Sequence, residues 1–171
     1  MTPETVGPLS RLVDVGRVPP RGQEVQIVAT PEECAALARD FGLPAIQALS
    51  GDYQLKTSAK GINVTGLVKA SITQICVMTL EPFDSLIEEE VEVDFAEPSG
   101  MPAESPTDIN EYDPPDEIVN GQIDLGALTS EFLALGLDPY PRKPGIDFSY
   151  QEPSDEKDSP FAALGKLKGT E

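Results

Sequence analysis

Residues 45–96 carry the clearest hydrophobic pattern in the chain. Tyr53, Leu55 and Ala59 lead to a turn at Lys60-Gly61. Beyond it Ile62, Val64, Val68, Ala70 and Ile72 alternate with Asn63, Thr65, Lys69, Ser71 and Thr73. A period of two over that length predicts a long strand with one face in a core and one in water. Gly66 interrupts the alternation, which predicts a bulge or bend. After Glu81-Pro82, Phe83, Ile87, Val91, Val93 and Phe95 share one parity. Asp84, Glu88, Glu90, Glu92 and Asp94 share the other, so this strand presents a strongly acidic face.

Shorter elements flank these strands. Leu9–Val15 and Glu24–Ala29 read as strands separated by Pro19-Pro20 and Gly22. Thr30-Pro31-Glu32-Glu33 then opens a helix: Thr30 suits the N-cap, Pro31 the first helical position, and Glu33 completes a capping box. Ala35, Leu37, Ala38 and Phe41 give its apolar side, and Gly42 ends it. Asp124 is placed to cap a second helix, 124–136, with Leu125, Leu128, Phe132 and Leu135 as its stripe and Gly136 as its stop. A short amphipathic helix is expected at Phe161–Lys168, with Phe161, Leu164 and Leu167 on one side and Lys166 and Lys168 near its end.

The expected fold class is α+β: an antiparallel, strongly curved or barrel-like sheet, a capping helix after the second strand, a helix near 124–136 and a short C-terminal helix. The 171 residues fit one such domain over 1–150, followed by a linker and amphipathic tail at 151–171.

Charge refines this picture. The net charge is −18. Residues 1–80 hold seven acids and seven bases, so residues 81–171, with 23 acids and five bases, carry all of it. Glu97–Glu117 contains seven acids, five prolines and no Lys or Arg. Such a stretch cannot bury enough apolar surface to offset its ordering entropy, and a mobile acidic loop is expected at about 98–114. Broad phosphate binding, and hence DNA binding, is disfavoured because it rests on Lys and Arg.

The chain has no His, which closes every mechanism that needs an imidazole base or ligand. No phosphate-binding glycine loop and no aspartic-protease triplet occurs. Cys34, in a predicted helix, and Cys76, in a predicted strand, are the only cysteines and read as two reduced, partly buried thiols. Asp108-Ile-Asn110-Glu-Tyr112-Asp113 approaches a calcium loop but lacks its fifth-position donor and sixth-position Gly. Asn63-Val-Thr65 is a sequon by letters alone. No catalytic, cofactor or metal residues are therefore assigned, and the protein is expected not to be an enzyme. No signal peptide or membrane-length apolar run is read, which leads to the expectation of a cytoplasmic protein.

Three segments in order carry a family resemblance. The first is Gly61-Ile-Asn-Val-Thr-Gly66, continuing through Ile75-Cys76-Val-Met-Thr79-Leu-Glu-Pro82-Phe83. The second is Ile123-Asp-Leu-Gly-Ala-Leu-Thr-Ser-Glu131-Phe-Leu-Ala-Leu135, closing with Asp138-Pro-Tyr-Pro141. The third is Ser159-Pro-Phe-Ala-Ala-Leu-Gly-Lys-Leu-Lys168. Over roughly 60–168 the chain resembles the YceD family, the large ribosomal RNA subunit accumulation proteins. Many members carry Cys-x-x-Cys before Glu-Pro, with further cysteines after the long helix, suggesting a zinc site. Here Cys76 matches the first position, Thr79 occupies the second, and Pro141-Arg-Lys-Pro-Gly145 offers no thiolates, so no metal is carried over.

The resemblance implies a non-catalytic role in ribosome biogenesis, promoting accumulation or processing of 23S ribosomal RNA. An acidic half repels RNA and attracts basic ribosomal proteins. The expected partner is thus a basic ribosomal or assembly protein met by the Glu88–Asp94 face, with ribosomal RNA contacted indirectly or weakly and no membrane or DNA. Arg11, Arg17 and Arg21 offer a lesser route to RNA. The alternative is an acidic calcium-binding or small carboxylate-based hydrolase domain.

Overall fold

A computed structural model describes residues 7–59, 61–98 and 115–146. Five strands form one sheet in the order β2 (Gln23–Val28), β3 (Ala45–Ser58), β4 (Gly61–Ile75), β5 (Pro82–Ala96) and β6 (Asp116–Glu117). Neighbours are antiparallel except β5 and β6, which pair in parallel at Phe95↔Asp116 and Ala96↔Glu117. β1 (Leu12–Asp14) and β7 (Gln122–Asp124) form a separate antiparallel pair. Two helices, α1 (Pro31–Asp40) and α2 (Leu125–Gly136), complete the described α+β fold.

The alternation of β4 and β5 translates directly into burial. Ile62, Val64, Val68, Ala70 and Ile72 of β4 are buried, joined by Leu49, Tyr53 and Leu55 of β3 and Ile87, Val91 and Phe95 of β5. Both helices pack on this face through Cys34, Leu37 and Ala38 of α1 and Leu125, Leu128 and Leu133 of α2. Among the described residues, no helix packs on the other face of the sheet.

The sheet does not close, nor is it strongly curled. β2 and β6 are its two edges and do not meet. Closure is one way to bury an inner face; here the two helices cover that face, and the edges stay apart. Gly66 makes no bulge either. It pairs in register with Tyr53, and the ladder slips instead between Ile46 and Ala48. What Gly66 provides is clearance. A Cβ there would collide with the carbonyl oxygen of Asp52 and stand 2.7 Å from Cδ1 of Tyr53. A Cβ on Gly51 would stand 2.6 Å from Cε2 of the same ring. The ring therefore lies across two glycines, and its hydroxyl reaches Oγ1 of Thr129 on α2 at 2.6 Å. Because Thr129 donates its own proton to the Leu125 carbonyl at 2.6 Å, Tyr53 is the donor. Burial pushes the Tyr53 phenol up to about 12, so it remains a donor at all ordinary pH.

The helix caps hold, and both apolar stripes are revised: on α1 Ala35 is exposed, because the buried face runs through Cys34, Leu37 and Ala38. Thr30 Oγ1 accepts from Glu33 N and the Glu33 carboxylate accepts from Thr30 N, the reciprocal capping box. Asp124 caps α2 by accepting from the N–H groups of Gly126 and Ala127 at 2.9 and 3.1 Å. On α2, however, Leu135 faces solvent, and Thr129 and Leu133 are buried instead. Apart from Gly126, which has no side chain, the buried positions advance from Leu125 by 3, 4 and 8, one face of a helix. Leu135, ten residues on, falls off that face. The first predicted strand is likewise shorter: only Leu12–Asp14 pairs, because its partner β7 has three residues. β6 and β7 were not read from the sequence, and Asp116–Glu117 pairs where an acidic loop was expected to end. The rest of that loop, 99–114, the calcium-like Asp108–Asp113 stretch, and the linker and tail at 151–171 lie outside the described residues.

Candidate acidic interface

The open face collects the polar parity of four strands. From β5 come Asp84, Glu88, Glu90, Glu92 and Asp94, all exposed. Strand pairing adds Glu24 of β2 and Asp52 of β3, which sequence reading did not connect to them. Against these seven carboxylates stand two lysines, Lys56 and Lys69. Lys69 Nζ lies 3.7 Å from Glu88, both side chains exposed, a weak pair in water.

Neutral groups fix several of the carboxylates in place. Gln26 donates to Asp52 at 2.7 Å, Asn63 to Asp94 at 2.9 Å, and Thr73 and Gln47 to Asp84 at 2.7 and 3.2 Å. Each pair joins residues of different strands, Gln47 reaching from β3 past β4 to β5, and it orients a carboxylate without cancelling its charge. A groove of about 570 Å³ runs over β2, β3 and β4, with Glu24, Gln26, Asp52, Gln54 and Thr65 among its walls. The arrangement offers oriented acceptors and negative potential, and its chemistry suits ammonium and guanidinium groups.

Of the three arginines that offer a route to RNA, Arg11 and Arg17 have acidic partners, while Arg21 is exposed with no ion pair among the described residues. Arg11 forms a bidentate pair with Glu33 at 2.8 and 2.9 Å, the contact that, ahead of the Thr30 N–H, holds the Glu33 carboxyl below its usual range. Arg17 faces Asp14 at 3.5 Å. The Arg11 charge is thus met within the fold, whereas the exposed Arg17 pair is weak in water.

A second cleft, of about 660 Å³, lies between α2 and the β6–β7 segment. Asp116, Glu117 and Glu131 line it beside Leu12 and Val119. Burial, then the charges of Asp116 and Asp124, raise the Glu131 carboxyl above its ordinary value. Among the described residues no three His, Cys, Asp or Glu side chains gather as metal ligands.

Cys76 lies just past β4, in the turn before β5, rather than within a strand. The loop after α2 is fastened there. Pro141 O accepts from Val77 N at 2.9 Å, Cys76 Sγ accepts from Lys143 N at 3.4 Å, and Lys143 Nζ meets Glu81 at 3.1 Å. The N–H of Lys143 first, then the Thr79 hydroxyl and the N–H groups of Thr79 and Met78, bring the Cys76 thiol down to about 7. A tetrahedral zinc needs about four soft or imidazole ligands, and this corner supplies one thiol among backbone donors. The residues present do not fit the metal, and hydrogen bonds fasten the loop.

The sign of the Cys76 shift gives a test. An unfolded thiol titrates near ~8.5, so its folded form adds stability that is complete above that value and lost as pH falls through about 7. The melting-temperature gap between the protein and Cys76→Ala is expected to widen from pH ~6 to pH ~9. Burial raises the Cys34 thiol, so the gap for Cys34→Ala is expected to narrow over the same range.

No helix among the described residues is long and apolar enough to cross a membrane. No curated protein and no solved structure matches the chain significantly. The family model for the large ribosomal RNA subunit accumulation protein YceD does match, over residues 64–168. That span starts within β4, takes in the acidic β5, the fastened Cys76 corner and α2, and covers more than half of the sequence; the chain belongs to the YceD family.

Proposed function

We propose that this protein is a non-catalytic assembly factor that promotes accumulation of 23S ribosomal RNA by holding a basic ribosomal or assembly protein on its open sheet face. The family supplies the ribosomal context. The single observation that carries the mechanism is the acidic sheet face itself, on which the described residues place seven carboxylates and two lysines. RNA is repelled by such a surface, whereas a basic ribosomal protein is drawn to it and held away from premature contact with RNA. Contact with RNA is then indirect.

Size is adequate. Strands of 14 and 15 residues are ~45–50 Å long at ~3.3 Å per residue, and the four that build the face are ~4.8 Å apart. A standard interface takes about 800 Å² per partner, close to what these dimensions give.

The test is capture on the immobilised full-length protein, with bound proteins and RNA identified by mass spectrometry and sequencing. A basic large-subunit or assembly protein is expected at ~0.1 M salt, with loss at ~0.5 M as screening shortens to about 4 Å. Ribonuclease is expected to leave it bound. Release by ribonuclease would overturn the reading in favour of direct RNA binding. Heat on calcium titration, or hydrolase activity abolished by Glu131→Gln, would favour the calcium or hydrolase alternative.

A further inference from the structure

We propose that the apolar tip of the β4–β5 hairpin is the seat of the chain's own C-terminal amphipathic segment, Ser159–Lys168. The tip exposes Ile75, Val77, Met78 and Leu80, four large apolar side chains within six residues, with Leu80 76% exposed. Tyr140 of the loop fastened to it is 72% exposed. Leu80 holds a positive φ of 60°, a conformation that bulky L residues seldom keep. That conformation belongs to a turn whose apolar side chain points to water, the reverse of what stability alone favours.

The chain path says what covers it. The loop after α2 is bonded to the tip through Pro141 and Lys143, and the last described residue, Ile146, bonds back to Lys143 O at 3.3 Å. The C-terminal segment therefore departs from beside the tip. Fourteen residues, 147–160, precede Phe161. At ~3.3–3.6 Å per residue they span up to about 50 Å, so reach is not limiting. Tethering at such lengths gives effective concentrations in the ~mM range, enough for a modest apolar contact.

The chemistry matches as well. Phe161, Leu164 and Leu167 recur at a spacing of three, as on one side of a helix, and Lys166 and Lys168 accompany them. Asp84 flanks the tip with the opposite charge, beside Glu81, which already meets Lys143. The other segments outside the described residues are poor occupants. Residues 99–114 leave and re-enter at the far end of β5, some 13 residues or ~43 Å from the tip, and are acidic. Residues 1–6 hold one acid, no base and no apolar stripe.

A benzophenone side chain in place of Leu164 in the full chain tests this. Irradiation is expected to cross-link it, within one chain, to residues 75–81 or to Tyr140. Val77→Glu with Leu80→Glu is expected to lower that yield at least ~5-fold, while Leu12→Glu, at a different exposed apolar site, leaves it unchanged. Hydrogen exchange gives a second reading that leaves the tip sequence intact. Leu164→Glu with Leu167→Glu is expected to speed exchange of the amides at 77–80 at least ~5-fold. Cross-links to other parts of the fold, no cross-link, or unchanged exchange would overturn the proposal. Cross-links only between chains would replace it with docking on a second copy.

Discussion

Asp124→Ala is expected to lower stability by about 3 kcal/mol, by summing a lost helix cap and the cost of donors left without an acceptor. One carboxylate accepts four hydrogen bonds: from the Ser10 hydroxyl at 2.5 Å and from the N–H groups of Arg11, Gly126 and Ala127 at 2.7, 2.9 and 3.1 Å. It thereby ties the segment entering β1 to the end of β7 and the start of α2. Burial by itself would raise this carboxyl. The Ser10 hydroxyl and the N–H groups of Arg11, Ala127 and Gly126 outweigh burial and hold it below its ordinary value. A depressed carboxyl contributes its stability in full above the unfolded value of ~3.9 and loses it as pH falls through the folded one. Urea denaturation is therefore expected to show the full deficit at neutral pH and a shrinking one under acid. An unchanged midpoint at pH ~7 would mean that the four donors find other acceptors.

Replacing Glu88, Glu90 and Glu92 by Gln and Asp94 by Asn is expected to weaken partner binding ~30-fold at ~0.1 M salt. Exposed ion pairs each contribute ~0.2–1 kcal/mol, so four lost together amount to about 2 kcal/mol. The same variant is expected to melt no lower than the parent, since these side chains face water and repel one another along β5. Calorimetry or surface capture with the recovered partner reads the affinity. Equal affinity would show that the partner sits elsewhere.

The difference between what the sequence disclosed and what it did not follows sequence distance. The capping box at Thr30–Glu33, the Asp124 cap and the alternation of β4 and β5 depend on neighbours within a few residues, and all three are read correctly. The acidic parity of β5 was legible for the same reason. Glu24 and Asp52 were not legible as its companions, because only the β2–β3–β4 pairing brings them onto that face. Gly66 shows how a local rule misleads: a glycine in a strand predicted a bend, yet its function is to admit the ring of Tyr53 from the adjoining strand. Closure of the sheet is not legible in sequence, because alternation reports that one face is covered without saying whether by helices or by the sheet itself.

The edges of the sheet have a further consequence. Among the described residues, the outer edge of β5 is paired only at Phe95 and Ala96, so most of a 15-residue strand keeps free backbone donors and acceptors along one side. An unpaired edge of that length is a template on which another strand can add, the usual start of aggregation. Two copies of β5 meeting edge to edge would bring Glu88, Glu90, Glu92 and Asp94 of one against the same carboxylates of the other. Their mutual repulsion opposes such pairing, so the acidic parity of β5 is expected to act against edge-to-edge addition of a second copy.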